Sequence, residues 1–230
     1  MEANGVTHAA ILAATGYIQA DGINDTMRCN DTVAAYRKRD PKRFPVACGI
    51  VEPLHGTRSI AELERIKNEL RLDGVVWHHR FQGLAIDHQL MRPLLKKVRE
   101  LGLVPVIHTN AESNLEAVWR LERLAVEFPE LTFLSLDALT TNANSQLVLD
   151  VAKRTPNILF DTAHIRGAAY VKNFVEVVGS HRLVFGSLFY SHPASYEHCA
   201  TLAEVKAAGI SDTDRANILT LNAKRLFHLE

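Results

Sequence analysis

A chain of 230 residues that sets 26 Lys and Arg against 26 Asp and Glu has no net charge, which removes the basic footprint of a nucleic-acid binder or a membrane-surface protein. Hydrophobic residues at 47% and charged residues at 23% exclude a disordered, collagenous or fibrous chain and leave enough apolar material for one sizeable core. Cys29, Cys48 and Cys199 show no C-x-x-C spacing, the chain opens without a basic-then-apolar leader, and no apolar run is long enough to span a bilayer. The expectation is a soluble, cytoplasmic protein with a small-molecule partner.

Residues 1–5 read as the tail of a helix closing on Gly5, and residues 6–12 as a first strand. A polar loop over residues 16–25 leads to a helix over 30–39, and residues 45–51 form the second strand. Ser59-x-x-Glu62 has the form of a capping box, in which each side chain takes an orphan amide of the helix start, and Ile60, Leu63, Ile66 and Leu70 line one face behind it. Residues 74–77 make a third strand that runs into His78. Pro93 suits the first turn of the next helix, with Leu94, Val98 and Leu101 on one side. The fourth strand, residues 103–108, ends on His108. Ser113-x-x-Glu116 repeats the capping pattern and predicts a helix to residue 126 with Leu115, Trp119 and Leu124 inward.

A strand over 132–136 runs into Asp137, a helix over 145–154 leads to a strand ending at Asp161, and a helix over 168–178 feeds the last strand, residues 183–187. Helices over 196–208, closed by Gly209, and from Ser211-x-x-Asp214 onward complete the chain.

Seven strands alternating with helices imply a parallel sheet with right-handed crossovers, and closing such a sheet removes its edges. An eight-unit barrel needs one more unit than is visible, so the expected fold is α/β, a TIM-type (β/α) barrel over residues 1–230. It is incomplete, with the first β/α unit placed before Met1. The exposed edges that result predict a homodimer contact or a loop covering the gap between the first and last strands. A doubly wound open sheet competes, and it calls for a glycine-rich phosphate turn after the first strand; Leu12-Ala13-Ala14-Thr15-Gly16 offers little of one.

Barrel strands bring their C-terminal tips to one mouth, which gathers His78, His108, Asp137 and Asp161. Two imidazoles and two carboxylates suit a divalent metal or an acid–base pair. Any one of them alone is as readily a helix cap or loop anchor; their convergence carries the functional reading. His164 and His192 follow strand tips closely enough to reach the mouth, and Arg80 and Arg166 are placed to grip a substrate carboxylate in bidentate fashion. No H-E-x-x-H, G-x-G-x-x-G or P-loop pattern occurs.

Gly74-Val75-Val76-Trp77-His78, Pro105-Val106-Ile107-His108-Thr109, Val184-Phe185-Gly186-Ser187 and the closing stretch from Asn217 to Leu226 together resemble the amidohydrolase-related family. That family is similar to aminocarboxymuconate semialdehyde decarboxylase and the lactonases of small carboxylated rings, all metal-type TIM barrels. The resemblance implies a barrel, a divalent zinc-like metal and a small carboxylated substrate. It assigns the family's metal histidine to His108 and a strand-four histidine to His78. The family's catalytic histidine falls at Asp137 and its last aspartate at Leu188, while its H-x-H would precede Met1. The ligand set is therefore degenerate. The expectation is a hydrolase (lactone or amide) or a decarboxylase using Asp137 and His78 as catalytic groups, His108 as metal ligand, and Arg80, His164 and His192 for substrate. The alternative is a catalytically inactive barrel that binds a metabolite or partner protein.

Overall fold

The computed structural model describes residues 1–14, 19–110, 112–165, 167–188 and 199–230. A short 3-10 turn, Glu2–Asn4, closes on left-handed Gly5 and precedes β1 (Ala10–Leu12) and α1 (Ile23–Arg39). There follow β2 (Val46–Ile50), α2 (Thr57–Asn68), β3 (Gly74–Trp77), α3 (His79–Gln82), α4 (Met91–Leu101) and β4 (Val104–His108). The second half has α5 (Val118–Glu127), β5 (Phe133–Leu136), α6 (Asn142–Arg154), β6 (Ile158–Asp161), α7 (Ala168–Val177) and β7 (Leu183–Val184). It closes with α8 (Ala200–Ala207), α9 (Asp212–Ala216), a π-helical turn Asn217–Leu221 and α10 (Asn222–Leu226).

The seven strands are parallel and ordered β1 to β7 without a reversal. That order rules out the doubly wound sheet, whose strand order reverses at a switch point. Right-handed crossovers, the rule for parallel strands, put the connecting helices on one face, so the other face curls inward as the wall of an incomplete barrel. Side-chain alternation then separates two cores. Ala47, Val75, Trp77, Ile107, Phe133 and Phe160 pack outward against the helices, whereas Val46, Cys48, Ile50, Val76, Val106 and Leu134 fill the interior. Each fully buried large side chain of this kind contributes about 1.5–3 kcal/mol. Leu226, with Phe227 and Leu229 packed beside it, belongs to the interior core, so the C-terminal helix plugs the barrel.

Closure differs at the two ends of the sheet. The π-helical turn leaves the Ile218 carbonyl out of the helical ladder, and it accepts from Phe185 N–H at 2.9 Å, just past β7. Asn222 Nδ2 donates to the Ser180 and Leu183 carbonyls, both at 2.7 Å. The β7 edge is thereby covered by the chain's own C-terminal segment. β1 pairs with β2 over three residues, and β1 and β7 do not pair among the described residues. Asn4 Oδ1 bridges toward the C-terminal unit by accepting from Cys199 N–H at 2.9 Å.

Several local expectations are corrected. α2 begins at Thr57 behind Gly56, and Ser59 Oγ donates to the Glu52 carbonyl at 2.5 Å while Glu62 binds Arg65 and Asn30. The Ser59 and Glu62 pair is therefore not a capping box. Nor is Ser113 with Glu116: α5 begins at Val118, and Trp119 is 40% exposed rather than inward. The cap box at Ser211 is half formed, with Ser211 Oγ accepting from Asp214 N–H while the Asp214 carboxylate binds Ser211 and Ser180 hydroxyls. The first strand is shorter than residues 6–12, and α1 starts at Ile23.

Candidate active site at the barrel mouth

The interior row of each strand continues to the mouth two residues at a time. Ile50 and Val76 face the interior, so Glu52 and His78 do; Val106 leads to His108, Leu159 to Asp161 and Val184 to Gly186. Their outward neighbours Val51, Trp77, Ile107 and Phe160 lie in the helix-side core, which fixes the phase. Asp137 departs from alternation: its φ of 62° is left-handed, a conformation a short aspartate tolerates better than most residues, and it swings the carboxylate back toward β4.

Two histidine–carboxylate pairs result. His78 Nδ1 lies 2.6 Å from Glu116 Oε1, and His108 Nδ1 lies 2.7 Å from Asp137 Oδ2. The two imidazoles stack on each other, centroids 4.0 Å apart and planes 8° from parallel, with Phe81 against the other side of His78 at 4.0 Å. A ring nitrogen facing a carboxylate carries the proton, so Nδ1–H points at the carboxylate in each pair and Nε2 is left with its lone pair. Burial pulls the His78 pKa below the ordinary histidine value; Glu116 opposes that shift, while His108 and Arg80 reinforce it.

Glu116 is completely buried and also accepts from the Arg80 backbone N–H at 3.0 Å. Its second oxygen and Arg80 Nε, both buried and without a hydrogen-bond partner, face each other at 3.8 Å. The Arg80 guanidinium lies over the Phe81 ring, 5.0 Å from its centre. His164, also left-handed at φ 61°, brings Nε2 to 3.7 Å from Asp137 Oδ1. Asp161 Oδ1 accepts from the Asp137 N–H at 2.9 Å. Burial, then the Asp137 charge, push the Asp161 carboxyl well above the usual range, against the N–H bonds from Asp137 and Ala163. Gly186 is needed beside it, because a Cβ there would sit 2.4 Å from Asp161 Oδ2.

His78, His108, Asp137, Asp161, Arg80 and His164 are thus brought together, while His192 and Arg166 lie outside the described residues. Glu116 and Glu52 escaped the sequence reading. The capping pattern with Ser113 predicts a helix-cap role for Glu116, but the helix starts only at Val118 and leaves the carboxylate for His78. Glu52 was within reach of the two-residue alternation along Cys48, Ile50 and Glu52.

A divalent metal does not fit this donor set. Imidazole lone pairs lie in their ring planes, and two stacked rings with centres 4.0 Å apart and planes 8° from parallel do not direct both nitrogens at one ion at about 2.0–2.1 Å. Asp137 is spent on His108, and Leu188 offers no lone pair. No group of three or more His, Cys, Asp or Glu side chains among the described residues is arranged to hold an ion. A groove of about 440 Å³ lies at the opposite, N-terminal end of the strands, against Val104, Leu159, Arg225 and Leu226, away from these groups. No described helix is long and apolar enough to cross a membrane.

Among solved structures, 5-carboxyvanillate decarboxylase from Sphingomonas paucimobilis superposes with a TM-score of 0.79 at 20% identity, covering 100% of this chain and 81% of that one. An uncharacterised TIM-barrel protein from Bordetella bronchiseptica gives 0.78 at 19% identity, covering 99% and 80%. A dihydroxybenzoic acid decarboxylase from Polaromonas, solved with manganese and 2-nitroresorcinol, gives 0.76 at 15% identity, covering 100% and 83%. At these identities the likeness carries the barrel fold. No curated protein sequence matches the chain. The amidohydrolase family model matches residues 2–229, and the chain belongs to the amidohydrolase family.

Proposed function

We propose that this protein is a decarboxylase of small aromatic carboxylic acids that works through its two histidine–carboxylate pairs. The stacked His78 and His108, each oriented by its own carboxylate, carry the proposal. The decarboxylase neighbours support the substrate class.

Arg80, charged and beside the mouth, engages the substrate carboxylate. His108, held by Asp137 through Nδ1, takes a proton from solvent on Nε2 and gives it to the ring carbon that bears the carboxylate. The bond from that carbon to the carboxylate breaks, its electron pair returns to the ring, carbon dioxide leaves, and the proton stays in the product. His108 is reprotonated from solvent. His78 remains neutral, because burial disfavours its charge and a second imidazolium stacked on the first would be repelled. His164 adds a hydrogen-bonding group beside Asp137. His192 belongs to the same proposal as a substrate contact, and the protein works as a cytoplasmic enzyme. The family's zinc-like metal has at most His108 to hold it here, so no step is drawn through it.

A second reading, a barrel that binds a metabolite without turnover, is favoured by Leu188 standing where the resemblance calls for an aspartate. Incubation with a panel of hydroxybenzoic acids and small lactones separates the readings. Carbon dioxide release that disappears in His108→Asn supports the decarboxylase; lactone opening alone supports a hydrolase; binding with no turnover supports the second reading.

A further inference from the structure

The mouth holds a buried carboxylate that the acid–base pairs leave unused. Glu52 has an extended backbone (φ −98°, ψ 114°), so it continues the interior row from Ile50, two residues past the Ile50–Val76 pairing. It is 7% exposed. Glu62 is paired with Arg65, Glu116 with Arg80, and Asp87 with Arg120 and Arg123, while Asp161 is held by the Asp137 N–H. Glu52 has no cation partner among the described residues. Its side-chain hydrogen-bond partner is an amide, Gln19 Nε2 at 2.8 Å.

The surrounding groups hold this residue in place rather than neutralise it. Ser59 Oγ donates to its carbonyl at 2.5 Å, Gln82 Nε2 to the Val51 carbonyl at 3.0 Å, and Thr26 Oγ1 donates to Gln19 Oε1 at 3.0 Å. Three elements and a loop thus fix one strand tip. Burying a carboxylate without a countercharge costs stability, and that cost is recovered when a ligand supplies the missing donor. Glu52 comes from β2, on one side of β3, whereas Glu116 comes from the loop after β4, on the other.

We infer that Glu52 is a specificity-determining residue that accepts a hydrogen bond from an N–H or O–H group on the substrate, so that the ligand carries such a donor in addition to its carboxylate. This rests on the proposed carboxylate-binding mouth.

The test is equilibrium binding of benzoate and of its hydroxy-, amino- and methoxy-substituted forms at each ring position. It is followed by calorimetry on the whole protein and on Glu52→Gln and Glu52→Ala variants, with folding checked by thermal melting. At least one hydroxy or amino isomer should bind roughly tenfold or more tightly than benzoate and its methoxy counterpart, as one bond to a charged acceptor allows. That preference should vanish in Glu52→Ala and shrink in Glu52→Gln. A preference for hydroxy over amino forms, or the reverse, identifies the donor. Benzoate binding with no donor preference, or a preference that survives Glu52→Ala, overturns the role of Glu52 and leaves the mouth intact. Failure of every probe to bind overturns both. Should Glu52→Ala not fold, the Glu52→Gln comparison decides in the same way.

Discussion

His78 lies flat against His108, 4.0 Å between ring centres, while each ring points Nδ1 at a different buried carboxylate. Neither ring can rotate without losing its carboxylate and colliding with the other. Two oriented Nε2 atoms therefore face the mouth from adjacent strands.

Glu116→Gln keeps the shape of the His78 anchor and removes its charge. Charge-assisted hydrogen bonds are the stronger kind, so this change should cost about 1–3 kcal/mol of stability in urea denaturation. Turnover of the best aromatic acid should drop at least roughly tenfold, as a loosened His78 no longer holds the stacked proton donor His108 in position. Wild-type values for both would mean Glu116 does not orient His78.

Gly186→Ala places a methyl group 2.4 Å from Asp161 Oδ2 and 3.2 Å from the Ala163 amide nitrogen. Asp161 cannot yield freely because it holds the Asp137 N–H at the left-handed turn. Overpacking of this kind costs about 1–3 kcal/mol, readable as a lowered urea midpoint. A Gly186→Ala protein as stable as wild type would show that the Asp161 contact is soft.

His79 is fully buried, and neither ring nitrogen has a hydrogen-bond partner. Burial pulls its pKa down from 6.5 to about 3. Between those values the unfolded chain binds a proton that the folded protein does not, so stability contributed by neutral His79 is full above the unfolded value and lost as pH falls. From pH 7 to pH 5 the loss is about 2 kcal/mol. His79→Phe should remove that part of the acid sensitivity, seen as a smaller drop in unfolding free energy between the two pH values. An identical drop in both proteins would place the protonation elsewhere.

After dialysis against zinc or manganese and desalting, the protein should retain clearly less than one equivalent by elemental analysis. The stacked rings direct their lone pairs along separate planes, and the nearby carboxylates are already bonded. One tightly held equivalent, lost in His108→Asn, would overturn this reading of the donor set.

The fold was legible because β3 to β6 are short apolar runs that stop on a polar residue, the pattern of strands buried on both faces. His78, His108, Asp137 and Asp161 followed from that pattern. Glu116 did not, because it meets His78 across 38 residues, a contact that no local spacing encodes. The same long reach diverted Ser59 and Glu62 from helix capping: Ser59 ties down the β2 tip, and Glu62 joins Arg65 and Asn30. β1 is shorter than residues 6–12 because strand pairing starts at Ala10 opposite Val46, and ahead of it the Ala9 N–H donates to the Arg43 carbonyl at 2.9 Å.

The most direct measurement is long-range proton–nitrogen NMR on histidine-labelled protein, with His78 and His108 assigned by single Asn substitutions. At pH 7.5 both neutral rings should carry their proton on Nδ1, slowed in exchange by the carboxylates, and Glu116→Gln should alter the His78 signals more than those of His108. A proton on Nε2 of either ring, or equal response of both rings to Glu116→Gln, would contradict the paired histidine–carboxylate site.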